Sequence, residues 1–87
     1  MLPLNFAILK LFEEGEEYDT IDVMEKLQGQ YSKFRAFKFN AVQESLMSAE
    51  KNGMLDEVRY GMDANENLRV YYKANDYGMD MIKNYIK

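Results

Sequence analysis

The apolar residues of this chain change their period once, at Gly53, and that change is the strongest restriction on what the chain can fold into. Before Gly53 they recur at three- and four-residue spacing, as one face of an α-helix requires. After it they alternate, as a half-buried strand requires. With 87 residues there is length for one hydrophobic core of modest size, so one domain over residues 1–87 is expected.

The helical half divides into three. Pro3 suits a first helical turn, and Leu4, Ala7, Ile8, Leu11 and Phe12 follow on one face until Gly15 stops the helix. Asp19 or Thr20 offers an N-cap to a second helix with Ile21, Met24 and Leu27 as its apolar stripe, ending near Gly29. Residues 30–37 have no period but hold Tyr31, Phe34 and Phe37 among basic residues, which predicts a connection anchored by aromatics. Phe39, Val42, Leu46 and Ala49 then define a third helix that Asn52-Gly53 terminates, with Lys38, Asn40, Gln43, Glu44, Met47 and Lys51 facing out.

Beyond Gly53 the residues Leu55, Glu57 and Arg59 fall on one parity and Asp56, Val58, Tyr60 and Met62 on the other, an imperfect alternation that predicts a bulge near the strand start. Residues 63–67 are turn formers, and Leu68, Val70 and Tyr72 alternate with Arg69, Tyr71 and Lys73 on the return. A two-stranded hairpin over residues 55–73 follows. Asn75 or Asp76 can cap a last helix with Met79, Ile82 and Ile86 as its stripe and Tyr85 beside it. The expected fold class is α+β.

The chain contains no cysteine and no histidine, which removes disulfides, thiolate metal sites and the commonest general base. No catalytic residues, metal or cofactor are expected, and the pairs Glu13/Glu14 and Glu16/Glu17 read as a solvated acidic turn. Residues 1–5 lack a basic leader, and no apolar run approaches the roughly 20 residues that span a bilayer. A cytoplasmic protein without membrane contact is the expectation. A net charge of −4 opposes nucleic-acid binding by itself, but it hides an asymmetry. Residues 1–32 carry seven acids against two bases, whereas Lys33, Arg35 and Lys38 stand in a segment, 33–43, that has no acid.

The order helix, helix, helix, hairpin, helix is that of winged helix-turn-helix proteins, and two local patterns resemble PadR-type bacterial regulators. Residues 46–55, Leu-Met-Ser-Ala-Glu-Lys-Asn-Gly-Met-Leu, look like the end of that family's third helix, with Ala49 where the pattern has Leu. Residues 71–78, Tyr-Tyr-Lys-Ala-Asn-Asp-Tyr-Gly, are similar to the passage from its second wing strand into the next helix, with Ala74-Asn75 in place of Leu-Thr. The resemblance covers roughly residues 4–86 and implies a minimal winged helix with no inducer-binding domain.

It also implies a regulator that binds double-stranded DNA sequence-specifically, with the third helix in the major groove and the wing on the backbone. Carried over by position, Lys33, Arg35 and Lys38 would meet phosphates, and Asn40, Gln43 and Glu44 would lie nearest base edges. Arg59, Arg69 and Lys73 would line the wing, where pairing across the hairpin with Asp56, Glu57 or Glu66 is the competing expectation. Two copies are expected, joined through Met79, Met81, Ile82, Tyr85 and Ile86, unless the last helix folds onto its own core. The alternative function, consistent with the net charge and with Glu44 on the reading face, is a protein-interaction module without DNA binding.

Overall fold

In the computed structural model, which describes residues 2–86, the order of elements is α1 (Leu4–Leu11), a 3-10 turn (Phe12–Glu14), α2 (Thr20–Tyr31), α3 (Phe39–Lys51), β1 (Leu55–Met62), β2 (Leu68–Ala74) and α4 (Asp76–Tyr85). This is the winged-helix arrangement: three helices, an antiparallel hairpin and a closing helix. One hydrophobic cluster joins them, with Ile8, Phe12, Val23, Tyr31, Val42, Leu46, Leu55 and Ile82 at its centre. Among the described residues no helix is long and apolar enough to cross a membrane.

The second helix differs from its expected phase. Spacing of three alone, Ile21–Met24–Leu27, walks around a helix, whereas Thr20, Val23, Leu27 and Tyr31 stay on one face, and these are the buried residues. Ile21 is exposed, and the helix continues through Gly29 to Tyr31. Its start is set by a capping box: the Asp19 carboxylate accepts from Asp22 N (2.8 Å), and Asp22 accepts from Asp19 N (3.2 Å). In α3 the expected core stripe holds for Val42, Leu46 and Ala49; Phe39 shares their phase, but as the first residue of the helix it lines the cleft toward the wing and is 46% exposed.

The hairpin pairs Leu55 with Ala74 at its base and Met62 with Leu68 at its tip, and its register shifts between Glu57 and Arg59, where the broken alternation predicts a bulge. At the turn, Asp63 Oδ1 accepts from the N–H groups of Asn65 (2.8 Å) and Asn67 (3.0 Å). The other edge of β2 is engaged too: Tyr18 and Tyr72 exchange two backbone hydrogen bonds of 3.0 and 2.9 Å. This third, one-residue strand is invisible in the sequence, where Tyr18 is a lone aromatic in an acidic connection.

α4 closes the domain against the corner between α3 and β1. Asn75 caps it by accepting from Gly78 N (2.8 Å), while its side-chain amide donates to the Gly53 carbonyl (2.7 Å) and to Asp56 (3.2 Å). The Asn75 N–H donates to the Met54 carbonyl at 3.2 Å. Gly78 sits so close to that carbonyl that a Cβ on it would lie 2.0 Å from the oxygen. Gly78→Ala should therefore cost about 2–3 kcal/mol through displacement of α4, measured by urea unfolding. The Gly29→Ala variant, where an added Cβ meets nothing within 4 Å, should be neutral or stabilising.

Candidate functional site

Successive turns carry the chain from α2 to α3, with hydrogen bonds from Phe34 N to Tyr31 O (2.9 Å), Phe37 N to Phe34 O (3.0 Å) and Lys38 N to Ala36 O (2.9 Å). Aromatics hold this connection down. The buried Tyr31 donates its hydroxyl to the Leu2 carbonyl, Phe34 packs edge-on against its ring at 4.9 Å, and Phe37 is half-buried against the core. Lys33, Arg35 and Lys38 are left exposed, and among the described residues none of them enters an ion pair.

Those cations lead onto an uncovered helix start. Lys38 is the N-cap of α3, has no side-chain acceptor for the first N–H groups, and is followed by a first turn without acid. By contrast, α2 begins with Asp19 and Asp22, and α4 with Asn75 and Asp76. The partial positive charge of a helix N-terminus and three basic side chains therefore add at one place, which favours an anion there.

Along α3 the polar residues divide between faces. Asn40, Glu44, Met47 and Lys51 are exposed on the outward face. Glu44 also lines a shallow cleft against α1, where the Ser45 hydroxyl donates to Asn5 (2.8 Å). Gln43 turns the other way and, with Ile21, Phe39, Leu68 and Val70, lines a cleft of about 410 Å³ between α3 and the wing. Gln43 and Glu44 thus do not share a face.

The wing arginines are engaged, though not by the cross-strand acids the sequence suggests. Arg59 Nε donates to Glu17 (2.8 Å), and its guanidinium lies 3.7 Å from the centroid of the Tyr71 ring. Arg69 donates to Asp19 and lies 3.6 Å from Asp22. Both guanidiniums are pushed above their ordinary pKa, chiefly by these carboxylate hydrogen bonds. Lys73 remains exposed and outside the ion pairs of the described residues. Sequence reading misses Glu17, Asp19 and Asp22 as partners. The available signal is the acidic excess of residues 1–32 beside a hairpin with two arginines.

The helix expected to supply an interface is partly turned inward. Ile82 and Ile86 are buried in the chain's own core and Met79 packs against it, so these three cannot form an exposed contact surface as the sequence suggests. The reason is geometric: Gly78 lets α4 approach the α3–β1 corner closely enough for the whole stripe to be covered. Tyr77, Met81 and Tyr85 form the opposite face at four-residue spacing, with Tyr85 75% exposed.

No protein-family model and no curated protein matches the sequence, so similarity to known proteins lies in the backbone. Bacillus subtilis PadR, solved in complex with operator DNA, is similar with a TM-score of 0.76 at 20% identity over 97% of this chain. This chain spans 48% of that one, about half its length. A PadR-like transcriptional regulator from Bacillus cereus is similar with a TM-score of 0.68 at 19% identity, covering 92% of this chain and 74% of its own. A transcriptional regulator from Clostridium thermocellum gives 0.69 at 21%, covering 92% and 73%. The fold of the chain is therefore that of the PadR-like winged helices.

The Asp19–Arg69 pair makes a pH prediction. Burial raises the Asp19 pKa, but hydrogen bonds from Arg69 and from Asp22 N outweigh it, and the carboxyl sits below its ordinary value of 3.8. A carboxylate with a depressed folded pKa stabilises fully above its unfolded pKa and loses that contribution as pH falls through the folded one. Asp19→Asn keeps an N-capping oxygen but removes the charge, and should cost about 1–2 kcal/mol at pH 7. Thermal unfolding from pH 7 down to pH 2 checks this: the gap between the two proteins should close below about pH 4.

Proposed function

We propose that this chain is a DNA-binding transcriptional regulator that places α3 against double-stranded DNA. The reading is carried by Lys33, Arg35 and Lys38, which lead into the acid-free start of α3, where no side chain caps the helix, and which lack carboxylate partners among the described residues. The winged-helix fold supports it, because in that fold the third helix is the element that docks in the major groove. Asn40 and Glu44 on the outward face are the side chains that would meet base edges, while Gln43 is turned toward the wing. In this reading Arg59 and Arg69 hold the wing to the domain, Lys73 is the wing's phosphate contact, and the backbone is gripped at the start of α3. No cofactor takes part. Two copies, joined through the exposed Tyr77 and Tyr85 and the half-buried Met81 of α4, would reach two half-sites.

The test is a salt titration of binding to DNA selected from a random pool. Arg35→Ala and Lys38→Ala should each weaken binding nearly equally on all sequences and reduce the slope of log K against log salt by about 0.9 for each phosphate that the variant no longer neutralises. Arg59→Ala, whose guanidinium is held by Glu17, should change that slope by much less. Unchanged slopes for both α3 variants would sink the reading. In sedimentation at about 0.5 M salt, where charge pairs are screened, Met81→Lys with Tyr85→Glu should dissociate the dimer at micromolar concentration without lowering the melting temperature by more than a few degrees.

A further inference from the structure

The inner face of the wing has no cover at its outer end. Tyr60 faces Val70 and Met62 faces Leu68 across the hairpin, and Tyr60, Met62 and Leu68 are 65%, 68% and 65% exposed. Leu68 and Val70 continue into the cleft beside Phe39, so the apolar surface is contiguous rather than scattered, which in a soluble protein marks a contact surface. Its surroundings are acidic. The wing carries Asp56, Glu57, Asp63 and Glu66, and with Arg59 and Arg69 engaged by the α1–α2 connection only Lys73, among the described wing residues, offsets them.

This combination disfavours DNA on the inner wing face, because carboxylates repel phosphates. It suits a segment with exposed aromatics among cations, and the chain itself presents one: Lys33, Phe34 (41% exposed), Arg35 and Lys38. We propose that the exposed outer end of this wing face, formed by Tyr60, Met62 and Leu68, which Leu68 continues into the cleft beside α3, takes the α2–α3 connection of a second copy of this chain. Phe34 packs on Met62 and Leu68, and Lys33 and Arg35 pair with Glu57 and Glu66. Phe39 belongs to the cleft and follows directly on Lys38, so both surfaces flank one end of α3. With the α4 face unused, a two-fold axis there makes each contact twice and closes the pair. The association uses a different face from Tyr77, Met81 and Tyr85. It does not rest on the nucleic-acid reading, although it covers the same cations and so excludes DNA from them.

Sedimentation equilibrium of the full chain carrying Met81→Lys and Tyr85→Glu, which disables the α4 face, isolates this contact. At about 50 mM salt and tens of micromolar protein, mass above the 10.3 kDa monomer is expected, falling toward the monomer at 0.5 M salt as screening weakens the charge pairs. In the same background, Lys33→Glu with Arg35→Glu, or Glu57→Lys with Glu66→Lys, should each weaken association roughly tenfold or more. An equimolar mixture of the two charge-reversed proteins should associate as the unreversed protein does, a result that also shows both are folded. A monomer at every salt concentration, or association that either reversal leaves intact, overturns the proposal. So does a mixture no better than its components while circular dichroism shows both folded.

Discussion

The closest constraint in the molecule is the approach of Gly78 to the Met54 carbonyl, where any side chain would collide with backbone. It brings together two stretches far apart in sequence, the glycine corner that ends α3 and the turn that begins α4. Asn75 makes the junction a three-way one, since its side chain caps α4, holds the Gly53 carbonyl and reaches Asp56 at the root of β1. Hydrogen bonds to backbone groups in a fixed corner are directional, so the hairpin's angle to α3 is set here rather than by the few apolar contacts of the wing. The burial of Ile82 and Ile86 follows from it, and the last turn of α4 is tied to α1 by Lys10, which donates to the Ile86 carbonyl (3.1 Å).

A second device fixes the hairpin from its other edge. The Tyr18–Tyr72 bridge draws the acidic connection alongside β2, and that position lets Glu17, Asp19 and Asp22 reach Arg59 and Arg69. Asp19 combines three roles: N-cap, half of a capping box and partner of Arg69, at 3% exposure. A buried carboxylate is tolerable only with such compensation. The Arg59–Glu17 pair is exposed and contributes little on its own, but it lies over Tyr71 and keeps the outer wing face orderly.

What can be read in the sequence follows from the range of the interactions involved. Element order, the end of α3 at Gly53, the bulge and the hairpin turn are local, and a period or a turn residue reports them directly. The phase of α2 is readable but ambiguous: Ile21 is a better core residue than Thr20 by hydrophobicity, and only the capping box and the neighbouring bridge decide between them. The pairing of Glu17 with Arg59, 42 residues apart, and of Asp19 with Arg69, 50 apart, leaves no periodic trace. The basic residues ahead of α3 are legible as a cluster, but their lack of partners among the described residues is not.

The cations ahead of α3 change the meaning of the net charge. A total of −4 describes the chain from far away, whereas an anion at a surface responds to charges within about a Debye length, roughly 8–10 Å at ordinary ionic strength. Much of the acidic excess lies in residues 13–25, and part of it is neutralised there by the two wing arginines. By holding Arg59 and Arg69 to its own acids, the fold leaves its positive potential concentrated at one end of α3 instead of spread along the wing. A chain acidic overall can thus present a local electropositive site, and the two proposed ligands, a phosphate backbone and the acidic wing of another copy, would compete for the same three side chains.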